Sequence, residues 1–129
     1  MAGYSIDIET ETLDNENFRR VLFTTPRSQL VLMTLQAGEE IGLEKHDTHD
    51  QFFRVEAGEG KALVDGTTYP LKDGVALVVP AGSEHNVINT SQTEPLRLYT
   101  IYSPPEHPDG IVHATKAEAD AYEAAHHHD

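Results

Sequence analysis

"GVALVVPAGSEHNVIN", residues 74–89, holds four residues at fixed intervals: Gly74, then Pro80 after five residues, His85 after four more and Asn89 after another three. Gly74 follows Asp73, a pair that suits a tight turn because glycine takes backbone angles closed to residues with a Cβ. The run VALVV between that turn and Pro80 is apolar and β-branched, which reads as a buried strand. Proline ends it at a point where no ladder donor is needed. The next strand starts at His85, whose side chain shares a face with Val87 and Asn89 because successive strand residues alternate.

The turn spacing runs outward from this segment. Gly58, Gly66, Gly74 and Gly82 lie eight residues apart, and two of them follow an aspartate (Asp65-Gly66 and Asp73-Gly74). Between and after them sit FFRVEA, KALV, TTYPL, HNVIN and LRLYTIY; upstream, RRVLFTT and QLVLMTL add two more β-rich runs. Many short strands between regular turns mean an all-β antiparallel sandwich or barrel. No sequence repeat accompanies the interval, so it is read as hairpin length. SIDIETET, residues 5–12, alternates at period two and is expected to form an edge strand, one that a second subunit would cover in a homodimer. Only TKAEADAYEAA reads as helix: Thr115 with Glu118 three places on makes a capping box ahead of good helix formers. SPPEHPDG before it, with three prolines, is expected to be an extended loop. His126, His127 and His128 near the chain's end are assigned no function.

Composition removes several classes of function. The chain has 129 residues, enough for one core, and sets 9 basic against 22 acidic residues for a formal net charge of −13. Nucleic acid and anionic membrane would both be repelled, so neither is expected as a partner. The absence of cysteine rules out disulfides, thiolate zinc sites and thiol nucleophiles. MAGYSIDIETET has neither a basic region nor a long apolar stretch, and no run approaches the roughly 18 apolar residues of a membrane span. A cytoplasmic, soluble protein is the expectation.

The interval Gly74, Pro80, His85, Asn89 matches at every position the second motif of the cupin family, which the chain resembles. The first cupin motif carries two histidines, a glutamate and two flanking glycines. Anchored on HDTH it fails, because His46 and His49 are three apart and not two; anchored on Gly38 and Gly58 it succeeds. Glu44 then stands at the first histidine position, His46 at the second and Gln51 at the glutamate position. The chain also looks like a group of small stand-alone cupins, often labelled sugar-phosphate-isomerase-like, in which DQFFRVE and LYTIYSPPEHPDG recur. The resemblance implies a double-stranded β-helix, or jelly-roll barrel, with its core over about residues 28–103 and a C-terminal loop and short helix over 104–125.

It also implies a ligand set of Glu44, His46, Gln51 and His85 for a divalent transition metal. Such a set keeps the single negative charge of the family's three histidines and one glutamate, with the carboxylate moved and an amide oxygen in its old place. Two imidazoles and a carboxylate suit Fe, and accept Mn, Ni or Zn. On a strand Glu44 and His46 share a face while Lys45 points outward; Gln51 shares another with Phe53 and Val55. Phe53, Val55 and Val87 are expected to line a pocket for a small-molecule ligand. His49 reads as a surface histidine, with the alternatives of an acid or base at the barrel mouth or a ligand in place of Glu44 or Gln51. His107 and His113 are expected to be structural or exposed. The function implied is a metal-dependent enzyme of isomerase, lyase or oxygenase type on an oxygen-bearing substrate; the competing readings are a non-catalytic binding or sensor module and a metal-free barrel.

Overall fold

The eight-residue interval marks mostly passages between two sheets. In the computed structural model, which describes residues 1–126, the chain forms α1 (Ile8–Asp14), β1 (Arg19–Thr24), β2 (Gln29–Leu35), the two-residue β3 (Glu44–Lys45), β4 (Asp50–Ala57) and β5 (Glu59–Val64). It continues through β6 (Thr67–Lys72), β7 (Ala76–Val79), β8 (Glu84–Asn89), β9 (Leu96–Ser103), β10 (Val112–His113) and α2 (Lys116–Ala125). A six-stranded sheet has the order β10-β1-β2-β9-β4-β7, a four-stranded sheet the order β3-β8-β5-β6, and every pairing is antiparallel. This is the all-β double-stranded β-helix that the resemblance implies.

Gly58, Gly74 and Gly82 lie where the chain leaves one sheet for the other, and of the four glycines only Gly66 closes a hairpin, between β5 and β6. The expected series of hairpins is therefore corrected. Equal strand lengths arise because each segment crosses the same barrel, whichever sheet it joins. At the true hairpin, Asp65 and Gly66 both have positive φ, 46° and 83°, the primed turn that matches strand twist. Pro70 sits in β6, the outer strand of its sheet, where a missing N–H leaves no ladder gap.

Both sheets turn their apolar faces inward. Val31, Met33, Leu35, Val55, Leu96 and Leu98 are fully buried in one continuous core. At ~25 cal/mol per Å² of apolar surface this burial is the main favourable term, and it fixes which face of each strand points inward.

The expected edge strand over residues 5–12 does not form: from Ile8 onward the stretch is helix α1. Asp7 caps α1, its side chain accepting from the Thr10 N–H at 3.1 Å, and Glu9 and Glu11 lie in the first turn, where carboxylates suit the helix dipole. On the outer side of β1, β10 pairs with Arg19 and Arg20. The argument for a dimer through an edge strand at residues 5–12 falls with that strand. The C-terminal helix forms as expected, with Thr115 accepting from the Glu118 N–H at 3.1 Å. His127 and His128 lie outside the described residues, and no described helix is long and apolar enough to cross a membrane.

The proline-rich loop between β9 and β10 is tethered from below. Gln29, fully buried, accepts from the N–H groups of Glu106 (3.2 Å) and His107 (3.0 Å) and donates to the His107 carbonyl (2.6 Å). One amide therefore sets where the side chains of Glu106 and His107 enter the barrel mouth.

Candidate functional site

Glu44 and His85 are direct register partners across the β3–β8 pair, so their side chains leave the same face of the four-stranded sheet. His46 follows β3 in the chain, and its backbone carbonyl accepts from the Gly82 N–H at 2.9 Å, which ties it to the turn leading into β8. One ligand atom from each of Glu44, His46 and His85 lies within 4.8 Å of the others. Glu44 Oε2 is 3.5 Å from His46 Nε2, too long for a hydrogen bond, and that nitrogen is buried without a hydrogen-bond partner.

His85 is 3 % exposed, and its Nδ1 stands 3.0 Å from the Ser83 carbonyl. A carbonyl only accepts, so Nδ1 carries the hydrogen, and in a neutral ring Nε2 is left as a bare lone pair. That Nε2 is also buried and unpaired. Gln51, on β4 in the other sheet, donates from Nε2 to Thr100 Oγ1 at 3.0 Å, while its Oε1 is buried without a partner. Unpaired acceptors buried in this way are unfavourable unless something electron-poor meets them.

The electrostatics favour acceptors. Burial lowers the His46 pKa to about 4, helped by His85, His49 and the charge of Arg19, so the ring is neutral at physiological pH. Burial raises the Glu44 carboxyl to about 7; Arg19 opposes the rise, while Glu106 and Glu123 add to it. An added cation would lower that value again and draw the carboxylate into use. A carboxylate with two neutral imidazoles is a donor set for divalent transition ions, so these residues fit such a metal.

His49 departs from the expectation of a surface histidine. Its side chain is 15 % exposed and turned inward, with Nε2 3.0 Å from the Pro105 carbonyl and 3.3 Å from Glu106 Oε2. Thr48 Oγ1 lies 3.1 Å from its Nδ1. His49 belongs with His46 and Glu106 in a second cluster of ligand-type atoms and not with the Glu44 group. Glu106 also faces His46, Oε2 to Nδ1 at 3.7 Å, so the His46 ring lies between two carboxylates. Lys45 points outward as expected. Phe53, Val55 and Val87 do not line an opening: they are 2 %, 0 % and 1 % exposed, because side chains from both sheets fill the barrel below its mouth.

What remains open is a groove of about 430 Å³ at that mouth, walled by Arg19, Leu43, Glu44, His46, Glu106 and Glu123 among others. Arg19, Glu106 and the α2 wall were not marked by sequence reasoning. Period-two reading of RRVLFTT with an inward Val21 places Arg19 on the same inward face, and that was the available signal. His107 and His113 are turned into the chain and not exposed, with His107 Nε2 3.3 Å from the Tyr102 hydroxyl and His113 4 % exposed.

Comparison with known proteins agrees with this architecture. A family model described as Cupin domain matches residues 31–102, more than half of the chain, and the chain belongs to the cupin family. It is 47% identical over 126 residues to the uncharacterised protein YrkC of Bacillus subtilis (strain 168), covering 93% of this chain and 67% of that protein. It is 42% identical over 119 residues to the uncharacterised protein L612 of Acanthamoeba polyphaga mimivirus, covering 90% and 74%. The crystal structure of BH2720 from Bacillus halodurans matches with a TM-score of 0.90 at 45% sequence identity, covering 93% of this chain and 95% of that one.

Proposed function

We propose that this cupin is a metal-dependent enzyme in which Glu44, His46, Gln51 and His85 hold one divalent transition ion, Fe, Mn, Ni or Zn, and that it converts a small oxygen-bearing substrate entering through the groove. The observation that carries this reading is the convergence of ligand atoms from Glu44, His46 and His85 within 4.8 Å while Nε2 of both histidines is buried and unpaired. When bound, the ion supplies Lewis acidity toward a substrate oxygen. The chain's own residues do the rest: Ser83 orients His85, Thr100 orients Gln51, and burial keeps His46 neutral. His49, with Nε2 beside Glu106, is placed to exchange a proton at the mouth. That pair favours catalysis over a non-catalytic binding module, which has no use for a proton-transfer group at the entrance.

Metal analysis of protein purified without nickel resin and without the terminal histidines tests the site. Glu44→Ala and His85→Ala are each expected to lower bound metal well below one ion per chain, whereas His49→Ala leaves occupancy nearly unchanged. Loss of the metal in His49→Ala together with its retention in Glu44→Ala overturns the ligand set. Turnover of keto acids, sugar phosphates and phenolics, with and without oxygen, then assigns the reaction class.

A further inference from the structure

Arg19 is the least expected side chain in the groove. It projects inward from β1, is 4 % exposed, and its Nε and Nη1 are buried with no hydrogen-bond partner. Among the described residues no other lysine or arginine leaves a buried nitrogen unpaired. An arginine cannot shed its charge at physiological pH, so a buried guanidinium keeps its demand for an anion. Its nearest candidate is Glu123 on α2, with Oε1 3.7 Å from Nη1, beyond hydrogen-bond length. Glu123 keeps 55 % of its side-chain surface exposed, and the same oxygen lies 4.0 Å from His107 Nδ1. An exposed, loosely held partner of this kind contributes little and can swing away.

We propose that Arg19 anchors the carboxylate of a small, singly charged acid in this groove, and that Glu123 is an internal counter-ion which that carboxylate displaces. The proposal deepens the function above by naming the substrate class, and its catalytic meaning rests on that reading, since the anchored acid would lie beside Glu44 and His46. The guanidinium fork matches a carboxylate in two parallel N–H···O bonds. Charge selects a carboxylate over a phosphate. The groove sets the cation Arg19 against the acids Glu44, Glu106, Asp120 and Glu123, while the Lys45 ammonium turns outward beside Asp47, and a dianion meets that repulsion twice over. The groove's volume, about 430 Å³, falls within the range of small-molecule sites and leaves ample room for such an acid.

Calorimetric titration with pyruvate, its uncharged amide and inorganic phosphate tests this on chelator-treated and metal-loaded protein. Pyruvate is expected to bind both forms at least about tenfold more tightly than the amide or phosphate. Arg19→Met should weaken pyruvate binding by about tenfold or more, with Arg19→Lys intermediate, and Glu123→Gln should tighten it several-fold. Glu123 is exposed, so that variant folds even if a change at Arg19 disturbs the barrel. The proposal is overturned if pyruvate does not bind, if its amide or phosphate binds equally well, if Arg19→Met binds pyruvate as the wild type does, or if Glu123→Gln weakens binding. Metal content measured on the same samples separates the two readings. Pyruvate held through Arg19 by protein that takes up no ion removes the metal site alone; a normal ion content with binding indifferent to Arg19 removes the carboxylate anchor alone.

Discussion

Asn89 joins three stretches of chain through one buried amide. Its Nδ2 lies 3.1 Å from the carbonyls of Leu35 and Gln36 and 2.9 Å from that of Glu94, and its Oδ1 accepts from the Ser91 N–H at 2.9 Å. Asn89→Ala strands carbonyls in a place water reaches poorly, and the expected loss is about 2–4 kcal/mol in urea unfolding. A change within about 0.5 kcal/mol would mean those carbonyls find other partners. Single residues differ in how openly they declare such roles. Asn89, His85 and Pro80 are legible because a motif fixes all three at once. Arg19 is not, because its reach into the groove depends on the strand's inward face and on α2, which lies about a hundred residues further along the chain. Glu106 is hidden in the same way: only the buried Gln29 amide explains why a proline-rich loop delivers it to His46.

At the level of strands and turns, the sites of close backbone approach are the most exposed to failure. A Cβ at Gly58 would lie 2.4 Å from the Pro95 carbonyl oxygen and 2.9 Å from the Leu96 Cα, with φ at +96°. Gly58→Ala is expected to destabilise by about 3 kcal/mol or more, because both obstacles are backbone. Gly66→Ala, also at positive φ but facing open space, should lose only about 1 kcal/mol. Thermal or urea melts of the two variants decide it, and equal losses would show that backbone angle alone matters. Strand positions were readable from apolar runs and glycines, whereas pairing was not: β7 and β8 are consecutive yet lie in different sheets. Residues 5–12 misled for a local reason, since a short polar alternation fits either element and the Asp7 cap with two first-turn glutamates decides for helix.

Taken as one molecule, the barrel should respond to acid through His107. Burial holds its pKa down to about 3, with the charge of Arg19 next and His46, His113 and His49 adding to it; Glu123 faces it at 4.0 Å. The unfolded chain takes up this proton near 6.5, well before the folded one, so the contribution is intact above that pH and is lost as pH falls from 6.5 toward 3. Each unit of separation corresponds to about 1.4 kcal/mol, so a few kcal/mol disappear over that window. Relative to His107→Gln, chelator-treated wild-type protein should lose unfolding free energy steadily across it, and a difference independent of pH would refute the assignment.

The split of the proposed ligands between sheets has a mechanical meaning. Gln51 belongs to the six-stranded half, while Glu44 and His85 belong to the four-stranded half and His46 follows directly from it. A guest gripped by all of them would act as a clasp, pinning the two halves at one rim in a chain with no cysteine to make a covalent staple. Emptying the clasp would then loosen that rim first and leave the packed floor of Val55, Leu96 and Leu98 in register.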